Sequence, residues 1–172
     1  MRLFVAVWPP DEVVATLAGL PRPQVTGLRW TTPDQWHVTL RFLGEADPDE
    51  VTRALAGARR TGEAVVGLGP VTGRFGGRVL HVPARGLEDV AASVVTATGS
   101  LGEPPPDRPF AGHVTLARAR DRRGVDLRPL TGVPIQATWT AGEVALVASR
   151  LGGSRPARYE VVETFPLGLG GA

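Results

Sequence analysis

Apolar and polar positions along this chain alternate between two periods, and the changes of period mark out its elements. Residues 2–8, Arg-Leu-Phe-Val-Ala-Val-Trp, form an almost unbroken apolar run rich in β-formers, which predicts a buried strand. Pro9 and Pro10 end it. Asp11 and Glu12 then open a helix whose apolar face carries Val13, Val14, Leu17 and Leu20, since proline and acids suit a helix's first turn. Residues 27–32 read as a short strand and residues 35–43 as a clearer one. Asp47 caps a second helix, with Pro48 at its first position, Val51, Ala54, Leu55 and Ala58 as its inner stripe, and Gly62 as its expected stop. Residues 64–71 and 78–82 are strand-like, and the glycine-rich segment 73–77 between them reads as a hairpin. Leu87, Val90, Ala91, Val94 and Val95 recur at helical spacing up to Gly99, and the four prolines of 103–109 form a loop. Strands are predicted at 113–118, 133–140, 143–149 and 158–165, with a charged connection at 120–128 and a loose tail at 168–172. Strands outnumber helices and do not alternate with them one for one. This argues for an α+β fold with antiparallel sheets, not a doubly wound parallel sheet.

One repeat stands out in this pattern. The tetrapeptide His-Val-Thr-Leu occurs at 37–40 and again at 113–116. Each copy lies in a half of the chain that holds helices and several strands. The reading is a single domain of two related, pseudo-symmetric lobes, each an antiparallel sheet with helices on its outer face, around a central cleft.

Strand parity assigns the faces. Trp36, Val38, Leu40 and Phe42 share one side of the first motif strand, and His37, Thr39 and Arg41 share the other. In the second, Val114 and Leu116 point one way and His113 and Thr115 the other. Two such surfaces in opposition would line a cleft with two imidazoles and two hydroxyls. That set suits a phosphodiester: a neutral imidazole takes a proton from water, and a protonated one gives a proton to the leaving oxygen. Threonine hydroxyls can donate to the non-bridging oxygens, and an arginine can neutralise developing charge. A single His-x-Thr is a weak pattern, and a lone strand histidine is more often structural. Two identical copies that use two of only three histidines are harder to dismiss.

Composition narrows this picture without deciding it. The chain has 172 residues, a formal net charge of +2 and no cysteine, so disulfides and thiolate chemistry are excluded. All 19 basic residues are arginine, which raises the pI to about 10.3. Arginine's planar fork suits phosphate, but a genome rich in G and C favours the same residue, so the pI says little about nucleic acid. No metal-ligand cluster accompanies the motifs, and no metal or cofactor is expected. The first apolar run is too short for a signal peptide and no stretch is long enough to span a membrane, so a cytoplasmic monomer is expected. His81 reads as a strand-surface residue, and Trp30, Trp36 and Phe110 read first as core. Ser149 and Ser154 lack the setting of a nucleophile. Arg41 and Phe110 remain candidates for lining the cleft or holding its residues.

The blocks RLFVAVWPP, WTTPDQWHVTLRFLGE, RPFAGHVTLAR and VALVASRLGGSRPARYEVVETFPL, in that order and over nearly the whole length, resemble the 2H phosphoesterase superfamily. Within it the chain is most similar to the LigT-like RNA 2′,3′-cyclic phosphodiesterases. The resemblance implies metal-independent hydrolysis of an RNA 2′,3′-cyclic phosphate to a 2′-phosphate, together with reversible 2′–5′ sealing of such an end. On matching positions it implies catalytic roles for His37 and His113 and phosphate contacts for Thr39, Thr115 and Arg118. His37 would be the acid and His113 the base. The partner implied is an RNA with a cyclic phosphate end, or a small nucleotide analogue. Another small cyclic nucleotide phosphate, or a non-catalytic nucleotide-binding module, stays open as an alternative. Two departures matter. Many relatives carry proline where this chain has Gly112, which would loosen the approach to His113. Parity also places Arg118 on the apolar face, so it reaches phosphate only if its strand twists, bulges or ends there.

Overall fold

The computed structural model describes residues 1–152 and 155–169. Its strands are β1 (Arg2–Val7), β2 (Leu28–Trp30), β3 (Val38–Glu45), β4 (Ala64–Leu68), β5 (Gly73–Phe75), β6 (Val79–Arg85), β7 (His113–Ala119), β8 (Ala137–Ala141), β9 (Glu143–Gly152) and β10 (Arg155–Pro166). Three α-helices accompany them: α1 (Asp11–Ala18), α2 (Pro48–Ala56) and α3 (Glu88–Thr98). All the strand pairings are antiparallel, as the α+β reading expects.

The strands run in the order β10-β9-β1-β3-β7-β6-β4-β8, with β2 added to β7 and β5 to β6. β3 and β7 carry the two His-Val-Thr-Leu copies, and they meet at one pairing, Val38 with Val114. The sheet thus has two arms joined at the motifs. The arms do not follow chain order: the C-terminal β9 and β10 lie beside β1, while β2 crosses to β7. The helices follow the same crossed plan. α3 packs on β3, α2 packs on α3 and β10, and α1 packs against β8.

β1 is buried on both faces, which explains its unbroken apolar run. Leu3, Val5 and Val7 enter the main core with Val38, Leu40, Leu43 and the inner faces of the helices. Phe4 and Ala6 enter a smaller cluster with Ala145 and Val147, flanked by Trp8 and Tyr159. Asp47 caps α2 as expected, its side chain accepting from the Asp49 amide at 2.9 Å. The helix stops at Gly57, before the expected Gly62. Residues 73–77 lie in the β5–β6 hairpin, whose turn is 76–78, and the strand expected from 133 begins at Ala137. The tail expected at 168–172 lies mostly outside the described residues, as does Ser154.

Candidate active site

Antiparallel pairing of Val38 with Val114 sets the directions of the two motifs. One residue back along β3 lies on the side of one residue forward along β7. His37 therefore lies toward Thr115, and Thr39 toward His113. Val38 and Val114 are fully buried, while the four flanking side chains emerge on the opposite face.

Both imidazoles are held the same way. His37 Nδ1 donates to the Gln35 carbonyl at 2.7 Å, and His113 Nδ1 donates to the Ala111 carbonyl at 2.9 Å. In the neutral ring this leaves the lone pair on Nε2. The Thr39 hydroxyl lies 3.0 Å from His37 Nε2. Gln35 is itself anchored, its side chain accepting from the Thr32 amide and donating to the Ala157 carbonyl, each at 3.2 Å. Around the His37 ring stand Phe4, stacked at 4.9 Å, Trp8 at 5.1 Å and the edge of Tyr159 at 5.3 Å.

This apolar box has an electrostatic consequence. Burial, opposed by the Gln35 hydrogen bond and aided by the charges of Arg118 and His113, holds the His37 pKa down at about 4. The His113 pKa is also lowered, chiefly by burial, with the Ala111 bond opposing and Arg118 and Arg108 adding. Burial pushes the Tyr159 phenol up, against the pull of Arg118 and Arg29. The field of Arg118 thus reaches His37, His113 and Tyr159.

Arg118 reaches that face through a bulge. Along the β6–β7 pairing, Leu80 lies opposite Ala117 and His81 opposite Thr115, so Leu116 is an extra residue. Leu116 and Ala117 are both buried, and Arg118 emerges exposed on the side of His113 and Thr115. The sequence expectation left this as a condition, and the bulge meets it. Thr31 holds the bulge in place: its amide and hydroxyl both donate to the Leu116 carbonyl, at 2.8 and 2.9 Å. The same hydroxyl lies 2.8 Å from the Thr115 carbonyl and accepts from Trp36 Nε1 at 2.9 Å. Arg29 pairs across β2 with Arg118, and neither has a carboxylate partner among the ion pairs of the described residues. Directly paired residues project from one face of a sheet, and two arginines there without a counter-ion would suit an anion.

The LigT-like phosphoesterase family model matches residues 7–66. An RNA 2′,3′-cyclic phosphodiesterase of Thermus thermophilus is 32% identical to this chain, over 97% of this chain and 90% of that protein. The chain belongs to the LigT-like phosphoesterase family. Within that family, an RNA 2′,3′-cyclic phosphodiesterase of Bacillus subtilis is 28% identical over 86% of this chain and 83% of its own. Among solved structures, TT0787 of Thermus thermophilus superposes with a TM-score of 0.79 at 31% identity, covering 99% of this chain and all of that one. Escherichia coli LigT complexed with 3′-AMP superposes with a TM-score of 0.75 at 26% identity, covering 96% and 97%.

Two expectations for this LigT-like chain need correction. Arg41 does not line the cleft. Val5 pairs with Arg41 and Ala6 with Thr39, so Leu40 is a bulge residue and parity reverses after it. Arg41 is 3% exposed, and Phe42, expected in the core, is 40% exposed. Gly112, expected to loosen the approach to His113, sits where the backbone runs close to its neighbours. A Cβ there would stand 2.7 Å from the Ala84 carbonyl oxygen and 3.2 Å from the Phe110 ring, so the backbone passes too close for a side chain. Phe110 packs against the main core and over Gly112. His81 is not a surface residue: it is 6% exposed, and its ring centroid lies 5.3 Å from that of His113. Thr31, Arg29 and Tyr159 were not singled out from the sequence. For Thr31 the signal was its place one turn before the first motif; nothing local marked the other two.

Proposed function

We propose that this protein hydrolyses the 2′,3′-cyclic phosphate of an RNA end to a 2′-phosphate, with His37 and His113 as its acid and base. The observation that carries the reading is the matched pair of imidazoles. Each is tied at Nδ1 to the carbonyl two residues before it, and the two are set on strands that meet at Val38 and Val114. His113 Nε2 takes a proton from water as the water oxygen bonds to phosphorus. The bond from phosphorus to the 3′ oxygen breaks, and His37 Nε2–H protonates that oxygen, giving a 3′-hydroxyl and a 2′-phosphate. Thr39, Thr115 and Arg118 hold the non-bridging oxygens and stabilise the charge that grows on them. With a 5′-hydroxyl in place of water the same steps join two RNA ends by a 2′–5′ bond, and the relatives named for RNA 2′,3′-cyclic phosphodiesterase activity support this substrate class.

In the free site both rings are neutral near pH 7, because burial lowers both pKa values. A bound phosphodiester anion raises them, so His37 takes up from solvent the proton that it then gives to the leaving oxygen, while His113 stays neutral as the base. The test uses 2′,3′-cyclic AMP in EDTA, with the product isomer identified. Turnover to 2′-AMP supports the reading, and no turnover ends it. His37→Ala and His113→Ala are each expected to lower kcat about 10²–10⁴-fold. A substrate with sulfur in place of the 3′ oxygen has a leaving group that needs no acid. It should restore His37→Ala and not His113→Ala, and the opposite outcome reverses the two roles.

A further inference from the structure

Resting on that reading, we propose that His81 is a third histidine of the site, a fixed hydrogen-bond donor that positions the substrate through Nε2–H without exchanging protons. His81 pairs with Thr115 across β6 and β7, and directly paired residues project from the same face of a sheet. It therefore shares the face of His113 and Thr115. Its ring lies at 4.2 Å over Phe75, which in turn meets His113 edge-on at 4.9 Å. Gly73, opposite His81 in β5, makes room for it: a Cβ there would stand 2.8 Å from His81 Cε1.

The contrast with the other two histidines sets its role. His37 and His113 each donate from Nδ1 to a carbonyl, so their Nε2 atoms carry the lone pair. His81 Nδ1 is buried without any partner. A buried N–H left unpaired costs more than a buried lone pair facing carbon, so the proton belongs on Nε2. Only that nitrogen can meet a ligand. Burial, with the neighbouring His113 adding, holds the His81 pKa down at about 4, so the ring stays neutral over the working range. The groups around it are Thr115 and His113 from β7, Phe75 and Gly73 from β5, and, one strand-step along β6, Val79 opposite Arg118. No carboxylate forms an ion pair with it among the described residues, so nothing stabilises the imidazolium. The atom it meets is an acceptor oxygen on the His113 side of the nucleotide, either non-bridging on phosphorus or on the ribose.

The experiment compares the wild type with His81→Phe, His81→Gln and Gly73→Ala on 2′,3′-cyclic AMP across pH. His81→Phe keeps the stack on Phe75 but loses the donor, and kcat/KM should fall about 10–100-fold with the pH limbs unmoved. His81→Gln places an amide N–H near the lost one and should recover most of the activity. Gly73→Ala, which displaces the ring and removes nothing from it, should fall between them. Titration with inorganic phosphate and with 2′-AMP locates the acceptor. His81→Phe weakening both places it on phosphorus, and weakening 2′-AMP alone places it on the ribose. Undiminished His81→Phe overturns the inference, as does a shifted pH limb, which would make His81 a proton carrier. Equal loss in His81→Gln and His81→Phe overturns it too. If the wild type itself does not turn over, the phosphodiesterase reading fails first and takes this inference with it.

Discussion

Five contacts hold the Arg41 guanidinium. It donates to the carbonyls of Phe42 at 3.0 Å, Leu101 at 2.9 Å, Glu103 at 2.8 Å and Thr98 at 3.4 Å, and to the Thr98 hydroxyl at 3.4 Å. Thr98 is the last residue of α3, so a buried cation caps the negative end of that helix and ties the following loop to β3. Burial lowers the Arg41 pKa and the nearby Glu103 charge opposes this, yet the group stays charged at any ordinary pH. Replacing Arg41 with Met removes these donors, and the Leu101 and Glu103 carbonyls lose the guanidinium that they share, at a cost of about 2–4 kcal/mol. For a chain of this size that lowers the Tm by roughly 5–15 °C. Calorimetry on Arg41→Met should show the drop, with kcat of the folded protein at 20 °C within about twofold of wild type. A collapse of kcat without a change in Tm would return Arg41 to the cleft. Arg41→Lys should recover only part of the stability, because a compact ammonium cannot span acceptors arranged around a planar fork.

Both motif strands carry an extra residue directly after their threonine, Leu40 in β3 and Leu116 in β7. A bulge of this kind reverses the side chains that directly follow it, sending Arg41 inward and bringing Arg118 out; a second extra residue, Leu43, then resets β3. This marks the boundary of what was legible in the sequence. The strands, the three helices, the hairpin at 73–77 and the pair of histidines all follow from local period and turn chemistry. Parity beyond Thr39 and Thr115 does not, because a bulge is held by distant partners. For β7 the partner is Thr31, 85 residues away, whose hydroxyl serves Leu116. The burial of His81 depends likewise on Gly73 across the hairpin, and the crossed placing of β2, β9 and β10 rests on pairings that no local period announces. Thr31→Val keeps the shape and removes the hydroxyl, leaving Trp36 Nε1 without its acceptor and one donor fewer at Leu116. The expected cost is about 1–3 kcal/mol. Arg118 should lose its fixed aim, raising KM for 2′,3′-cyclic AMP more than it lowers kcat. A Thr31→Val enzyme with unchanged stability and KM would show that the bulge holds without it; Thr31→Ser should behave as wild type.

Across the whole molecule, the three histidines line one face where the two arms of the sheet meet, and all of them have lowered pKa values. In the unfolded chain each has a pKa near 6.5. The folded state holds His37 and His81 at about 4. Between these values the unfolded chain binds more protons than the folded one, so stability rises with pH through that window. The contribution is fully present above pH 6.5 and is lost as the pH falls toward 4. Each pKa unit is worth about 1.4 kcal/mol, and partial solvent access reduces the full value to about 1–3 kcal/mol for each ring. The same burial that keeps the rings neutral for phosphate chemistry therefore makes the fold sensitive to acid. The urea midpoint of the wild type should fall between pH 6.5 and 4, and that of His81→Phe should fall less, by the share of one ring. The rings themselves report the cause: the Cε1 proton resonances of His37 and His81 should stay at their neutral positions down to about pH 5 in the folded protein. Adding 2′-AMP should move the His37 and His113 titrations upward, because a phosphate dianion at Arg118 reverses the sign of the local field. A His81→Phe variant that loses as much stability in acid as the wild type, or a His81 resonance that titrates near 6.5, would place the acid sensitivity elsewhere, in the carboxylates.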